Sequence, residues 1–384
     1  MRNRWLFLSV LILTSTAVLA NGIHALGRQL FFDPNLSQSR TQSCATCHDP
    51  NHAFSDQRPN RAERSASTGH SDELLGDRNT PSTSYAAMIP EFHIDADGLP
   101  RGGLFLDGRA NTLTDQAREP FLNPIEMGLT DLHQFATRIR ANTSYAKLFK
   151  AAFDGATYDD DTRLYTAATQ ALASFQRGAD FSTFDSRYDR FLAGEIELTI
   201  EEELGRRLFF SDLVNCMNCH LQERNRVQAR EMFSDFRYHN IGLPRHRGLR
   251  RANGLGEAHT DIGLAVREDV DAVLSRGQYR TPSLRNVAVT PPYMHHGFFQ
   301  RLETALHFYN RYLVDNHEAG INPESEQPWG PAEVGDTIAH ELLSEGQPLG
   351  ADRIATLIVF LRALTDRRYE HLLPSLKPAG EEHP

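Results

Sequence analysis

Cys44-Ala45-Thr46-Cys47-His48 and Cys216-Met217-Asn218-Cys219-His220 use all four cysteines of a 384-residue chain in two copies of one five-residue pattern. Two thiols on one local turn can reach the two vinyl groups of a single porphyrin, while the residue that follows swings an imidazole under the iron. Each copy therefore reads as the attachment signature of a c-type haem. The expected cofactors are two covalently bound haem c groups, one on Cys44, Cys47 and His48, the other on Cys216, Cys219 and His220. A structural disulfide, a thioredoxin-like dithiol or a zinc site would each leave unexplained why a His follows both pairs while no cysteine exists elsewhere.

A repeat sets the domain plan. Leu26-Gly27-Arg28-Gln29-Leu30-Phe31-Phe32 recurs as Leu204-Gly205-Arg206-Arg207-Leu208-Phe209-Phe210, each time shortly before a haem motif. The fold class that follows is mainly α, with two cytochrome c-like haem domains, long loops and an internal duplication. Leu and Phe at helical spacing point each first helix toward the haem it precedes or into ordinary core packing. Apolar positions at three- and four-residue intervals predict helices within 131–150 and 161–175. Thr199 and Glu202 form a capping box for a helix over 200–210, and Gly350 opens a final amphipathic helix through Ile354, Leu357, Phe360, Leu361 and Leu364. The boundary falls near Glu195, giving an N-terminal unit over 21–194, a C-terminal unit over 195–373 and a loose tail over 374–384. Long loops over 55–79 and 242–261 are expected to form haem walls or partner surfaces. Within the second, Arg245, His246, Arg247, Arg250 and Arg251 read as a solvated loop, with a docking patch or a clamp on haem propionates as the alternatives.

Arg2 and Arg4 precede an apolar run from Trp5 to Leu13 and a Val18-Leu19-Ala20 end suited to cleavage, so residues 1–20 read as an export signal and the protein as periplasmic. An uncleaved anchor is the competing reading, though the run is short for a span and is broken by Thr14, Ser15 and Thr16. With 40% hydrophobic residues the chain has enough apolar side chains for real cores. A formal net charge of −10, to which haem propionates would add, disfavours a nucleic-acid partner.

Arg78-Asn79-Thr80-Pro81-Ser82, Gly103-Leu104-Phe105-Leu106-Asp107-Gly108-Arg109-Ala110, Asn123-Pro124-Ile125-Glu126-Met127-Gly128, Tyr279-Arg280-Thr281-Pro282-Ser283-Leu284-Arg285-Asn286-Val287 and Pro291-Pro292-Tyr293-Met294-His295-His296-Gly297 occur in this order around the haem motifs. Together they resemble the bacterial dihaem cytochrome c peroxidase and MauG superfamily over nearly the whole chain after the leader. The resemblance implies that the first haem is the peroxide site, with Glu126 over the open iron face as general acid and base and Gln116 holding water or peroxide in line. A carboxylate suits heterolysis, which needs one group to take a proton from the near oxygen and return it to the leaving one.

The second haem then serves as an electron store, with His220 proximal and Tyr309 as sixth ligand; Met294 is the alternative. A phenolate donates strongly to ferric iron, and Tyr309 pulls the reading toward MauG. Leu106 departs from the pattern, because the family carries Trp there as a relay between the haems; fast sharing of oxidising equivalents is thereby put in doubt. The resemblance also implies an interdomain calcium near Asn79, Thr290 and Pro292, and His70 as a displaceable distal ligand of the first iron. The implied function is reduction of hydrogen peroxide with electrons from a small donor protein, a cytochrome c or cupredoxin. The competing readings are MauG-like oxidation of side chains on a protein substrate and a non-enzymatic electron carrier. The sequence names neither the partner nor the oligomeric state, for which a homodimer is one option.

Overall fold

The computed structural model describes residues 21–223, 230–314 and 316–375. The expected export signal over 1–20 and most of the expected tail, 376–384, lie outside them. Among the described residues the fold is mainly α, and its strands form only three two-stranded antiparallel ladders, such as Tyr238–His239 against Tyr279–Arg280. Among the described residues no helix is long and apolar enough to cross a membrane.

Residues 21–31 are helical and bury Leu26, Leu30 and Phe31 against Phe135, Ile139, Leu164, Ala168 and Phe175. The partners come from Leu132–Ala141 and Asp161–Gln176. The stretch over 131–150 is not one helix. Asn142 breaks it: its backbone is extended and its side chain accepts from Ser144 N, so it ends Leu132–Ala141 and caps Thr143–Ala152. A short amide that can bond the backbone locally competes with helix continuation, which periodicity alone does not reveal.

A second core uses the same arrangement. Thr199 caps Ile200–Phe209 with Glu202 closing the reciprocal box, as the sequence predicts. Phe209 packs with Leu357, Phe360, Leu361 and Leu364, most of them on the terminal helix Ala351–Ala363. Both crossings are made at a glycine. A Cβ on Gly27 would stand 1.9 Å from the Ala171 carbonyl oxygen and 2.8 Å from Phe175 Cβ. One on Gly205 would stand 2.4 Å from the Thr356 carbonyl oxygen and 2.8 Å from Phe360 Cβ. In each crossing the two partners are four residues apart, one helical turn, so the Leu-Gly-Arg repeat encodes a close helix approach.

The basic cluster is solvated at Arg247 and Arg251 but is not a loop, and Arg250 turns inward. Arg247–Ala252 is a helix, and Arg250 is fully buried, donating to the Asp77 carbonyl near Asp261 and Glu333. Buried carboxylates and a carbonyl compensate its charge, a tertiary effect that local composition hides.

Candidate haem centres

At the first motif Cys44–Cys47 forms one helical turn that closes on His48, whose N–H donates to the Cys44 carbonyl at 2.9 Å. The turn Pro50–His52 follows, and Ala53 and Phe54 both adopt left-handed backbone, φ 51° and 54°. That reversal brings the Phe54 carbonyl to 3.3 Å from His48 Nδ1. The second motif is built alike. Cys216–Asn218 forms a 3-10 turn, Phe233 has φ 52°, and its carbonyl lies 2.8 Å from His220 Nδ1. In both, a fixed Nδ1–H leaves Nε2 bare for a metal. Burial holds both imidazoles below their ordinary value and so favours the neutral form that ligation needs.

This device escaped the sequence reading, yet it has a signal. Phe54-Ser55-Asp56 recurs as Phe233-Ser234-Asp235 after the two motifs. In the first copy Asp56 holds Arg58, which reaches Cys47 Sγ at 3.3 Å; in the second, Asp235 pairs with His239 at 2.9 Å beside Cys219. Burial would lower the His239 imidazole, but the Asp235 carboxylate beside it holds it above its ordinary value.

None of the four cysteines is bridged to another, against the disulfide reading. Burial pushes the Cys44, Cys47 and Cys216 thiols up to about 12. Sulfurs committed to thioethers carry no such penalty, so apolar burial suits haem attachment better than a working dithiol.

Glu126 follows a tight turn in which its N–H donates to the Asn123 carbonyl at 3.0 Å and Asn123 Nδ2 donates to Oε1 at 2.7 Å. Burial pushes its carboxyl up, opposed by the Arg109 guanidinium. Arg109 is itself fixed over the Phe105 ring at 3.5 Å and paired with Asp107 and Glu119. His70 is brought to the same turn: its N–H donates to the Glu126 carbonyl at 2.8 Å, its Nδ1 is 2.9 Å from Ser39 Oγ, and its ring fills the space beside Gly128. Gln116 ends Leu113–Gln116, half-buried, and no hydrogen bond joins it to Glu126 among the described residues.

A cavity at the second motif is lined by Cys216, Cys219 and His220 together with Tyr309, Met294 and Leu106. Tyr309 and Met294 both line this cavity, and burial raises the Tyr309 phenol. Asn79, Thr290 and Pro292 line the same cavity, and Asn79 Nδ2 donates to the Pro292 carbonyl at 2.5 Å. Two of its donors, Arg280 Nε and His295 Nε2, are buried with no partner among the described residues. A haem with its carboxylate edge there would satisfy both, and the apolar remainder fits a porphyrin face.

The family model for di-haem cytochrome c peroxidase matches residues 22–197. The chain is 46% identical to the methylamine utilization protein MauG of Paracoccus denitrificans, over 94% of this chain and 93% of that protein. It is 28% identical to the cytochrome c551 peroxidase of Pseudomonas aeruginosa, over 73% and 69%. The structure is similar to the diheme peroxidase BthA of Burkholderia thailandensis, with TM-score 0.75 and 30% identity over 92% of this chain and 88% of that one.

Proposed function

From the premise that this chain belongs to the dihaem cytochrome c peroxidase and MauG family, and is an oxidoreductase with two covalently bound haem c groups, we propose that it reduces hydrogen peroxide at the His48 site and stores electrons at the His220 site. When bound, the haems supply iron that takes up peroxide and holds oxidising equivalents. The chain's residues do the rest. His48 and His220 present Nε2 as proximal ligands, each oriented through Nδ1 by a Phe carbonyl. Glu126 takes the proton from the near peroxide oxygen and returns it to the leaving oxygen. Asn123 engages Oε1, so Oε2 is the atom that exchanges it. Gln116 would hold peroxide or water near the first site, and Tyr309 would help to hold the second haem. His70, anchored on the Glu126 turn, would be a distal ligand that a movement of its loop releases before peroxide binds. Asn79 with the carbonyls of Thr290 and Pro292 offers an all-oxygen corner for calcium once the Asn79 amide turns its oxygen inward.

The observation that carries this reading is Glu126, a half-buried carboxyl with Oε1 anchored by Asn123 on the turn that also holds His70. Electrons come from a small cytochrome c or cupredoxin. The second reading, oxidation of a partner protein's side chains, is supported by Tyr309 in the cavity that Cys216 and Cys219 line. Steady-state peroxide turnover with either reduced donor, set against mass spectrometry of a co-expressed neighbour protein, separates them. Rapid turnover supports the peroxidase; slow turnover with a new covalent modification on the neighbour supports the MauG-like activity.

We also propose an internal duplication with a boundary near Glu195, supported by the paired glycine crossings and the recurring Phe-Ser-Asp. Export to the periplasm is part of the same proposal, as are the donor protein and a homodimeric state.

A further inference from the structure

Leu106, in the wall of the second cavity, offers no oxidisable ring. Tyr85 does. It lines the same cavity and is 1% exposed. Its segment is fastened to the first site: the Phe54 carbonyl that receives His48 Nδ1 also accepts the Thr83 N–H at 3.3 Å, and Ser84 Oγ donates to the Ala53 carbonyl at 3.2 Å. Tyr85 N–H donates to the carbonyl of Phe181, whose ring stacks on Phe54 at 4.2 Å. A short hydrogen-bonded path thus joins the first proximal imidazole to Tyr85, whose ring faces the second site.

The phenol is equipped for oxidation. Its O–H donates to Asp366 Oδ1 at 2.6 Å, and Phe184 N–H donates to the phenolic oxygen at 3.0 Å. Asp366 is fully buried, with Oδ2 held by Asn286 Nδ2 at 2.9 Å. The Arg285 guanidinium lies 4.9 Å from the Tyr85 ring centre. A cation at that distance opposes any positive charge on the ring, so the electron leaves only if the proton leaves with it.

We propose that Tyr85 is a proton-coupled relay that carries oxidising equivalents between the His48 and His220 sites. This rests on the peroxide reading above, with hydrogen peroxide as the oxidant. Tyr85 gives one electron to the oxidised first site; its phenolic O–H bond breaks and a new O–H bond forms on Asp366 Oδ1. A neutral phenoxyl remains, still accepting from Phe184 N–H. One electron from the second site then refills it and the proton returns from Asp366. The net change is one electron moved from the His220 site to the His48 site, with Tyr85 and Asp366 restored.

The test mixes the dihaem holoprotein with hydrogen peroxide, follows each haem by stopped-flow absorption, and freezes samples for electron paramagnetic resonance. Wild type should give a tyrosyl signal whose hyperfine pattern changes with ring-deuterated tyrosine. Tyr85→Phe should abolish that signal and slow oxidation of the second haem by about 100-fold, the low end of what a positioned proton acceptor contributes. Asp366→Asn, which keeps a polar partner but removes the base, should slow it similarly even if Tyr85→Phe does not fold. Leu106→Trp added to Tyr85→Phe should restore fast transfer. If the first haem reacts and either single variant oxidises the second at the wild-type rate, the relay is wrong while the peroxide reading stands. If peroxide changes neither haem spectrum, that reading falls and the relay with it.

Discussion

Gly205 lets its helix approach Thr356 so closely that a Cβ in its place would lie 2.4 Å from the Thr356 carbonyl oxygen. The neighbour is backbone, which cannot rotate away. Alanine would gain about 1 kcal/mol in helix propensity, but overpacking costs about 1–3 kcal/mol. Gly205→Ala should therefore lower stability on balance, read as a lower denaturant midpoint with an unchanged slope. A midpoint above wild type would mean that the terminal helix moves aside freely.

Asp189 and Arg285 form a two-point ion pair, both bonds 2.9 Å, with both side chains almost fully buried. Burial alone would push the Asp189 carboxyl up, but the Arg285 hydrogen bonds and charge win and hold it below the usual range. A depressed folded-state value means that the pair's pH-dependent stabilisation is fully present above about pH 4, the unfolded value, and is lost as pH falls through the folded one. Asp189→Asn leaves a buried guanidinium uncompensated and should cost about 3–5 kcal/mol at neutral pH, with a smaller difference from wild type in acid. An equal loss at all pH values would show that the Asp189 charge does not carry the stabilisation.

Covalent attachment makes a simple statement about composition. Denatured protein should retain two haems through acid-acetone extraction, and Cys216→Ser should weaken only the second attachment. Mass spectrometry of the intact chain checks both. Two haems released by solvent, or full attachment in a chain lacking both Cys216 and Cys219, would contradict the thioether assignment.

How far the sequence could be read depended on what kind of atom does the work. Cys-x-x-Cys-His announces side-chain chemistry, and the Leu-Gly-Arg repeat announces a helix face, so both were legible from residue types and period. The acceptors that orient His48 and His220 are backbone carbonyls of Phe54 and Phe233, set by left-handed φ at bulky aromatics, which no propensity foresees. Arg250 looked solvated because its counter-charges, Asp261 and Glu333, lie up to 83 residues away in sequence. The Tyr85 to Asp366 bond spans 281 residues, beyond any local pattern. Legibility ended where tertiary contacts chose among locally equivalent readings.

Glu126→Gln keeps the Asn123 contact and the shape of the turn while removing the exchangeable proton site. Peroxide cleavage should fall by about 10²- to 10⁴-fold, with fold and haem content retained. The pH profile adds a second check. Burial raises the Glu126 carboxyl, and the base form is lost as pH falls through that raised value. The acid limb of wild-type activity should therefore lie above the ordinary carboxylate range and vanish in Glu126→Gln. Turnover within about twofold of wild type would remove Glu126 from the mechanism.

Tyr309 tests which branch of the family the second site follows. An anionic phenolate oxygen stabilises ferric iron, whereas a thioether favours ferrous, so the ligand's identity sets the direction of the potential. Tyr309→Phe should raise the ferric/ferrous potential of the second haem and change its spectrum, leaving the first haem's spectrum in place. Tyr309→Met should raise the potential further, toward the behaviour of a Met-ligated site, and make the resting protein easier to half-reduce. Met294 shares the cavity wall and could take the vacated position in Tyr309→Phe, so a Met294→Leu and Tyr309→Phe double variant isolates the effect of losing the phenolate. Spectroelectrochemistry of the three variants decides the point. An unchanged second-haem spectrum and potential in Tyr309→Phe would show that Tyr309 only packs in the cavity that Cys216 and Cys219 line, and the case for side-chain oxidation of a partner protein would lose the observation that supports it.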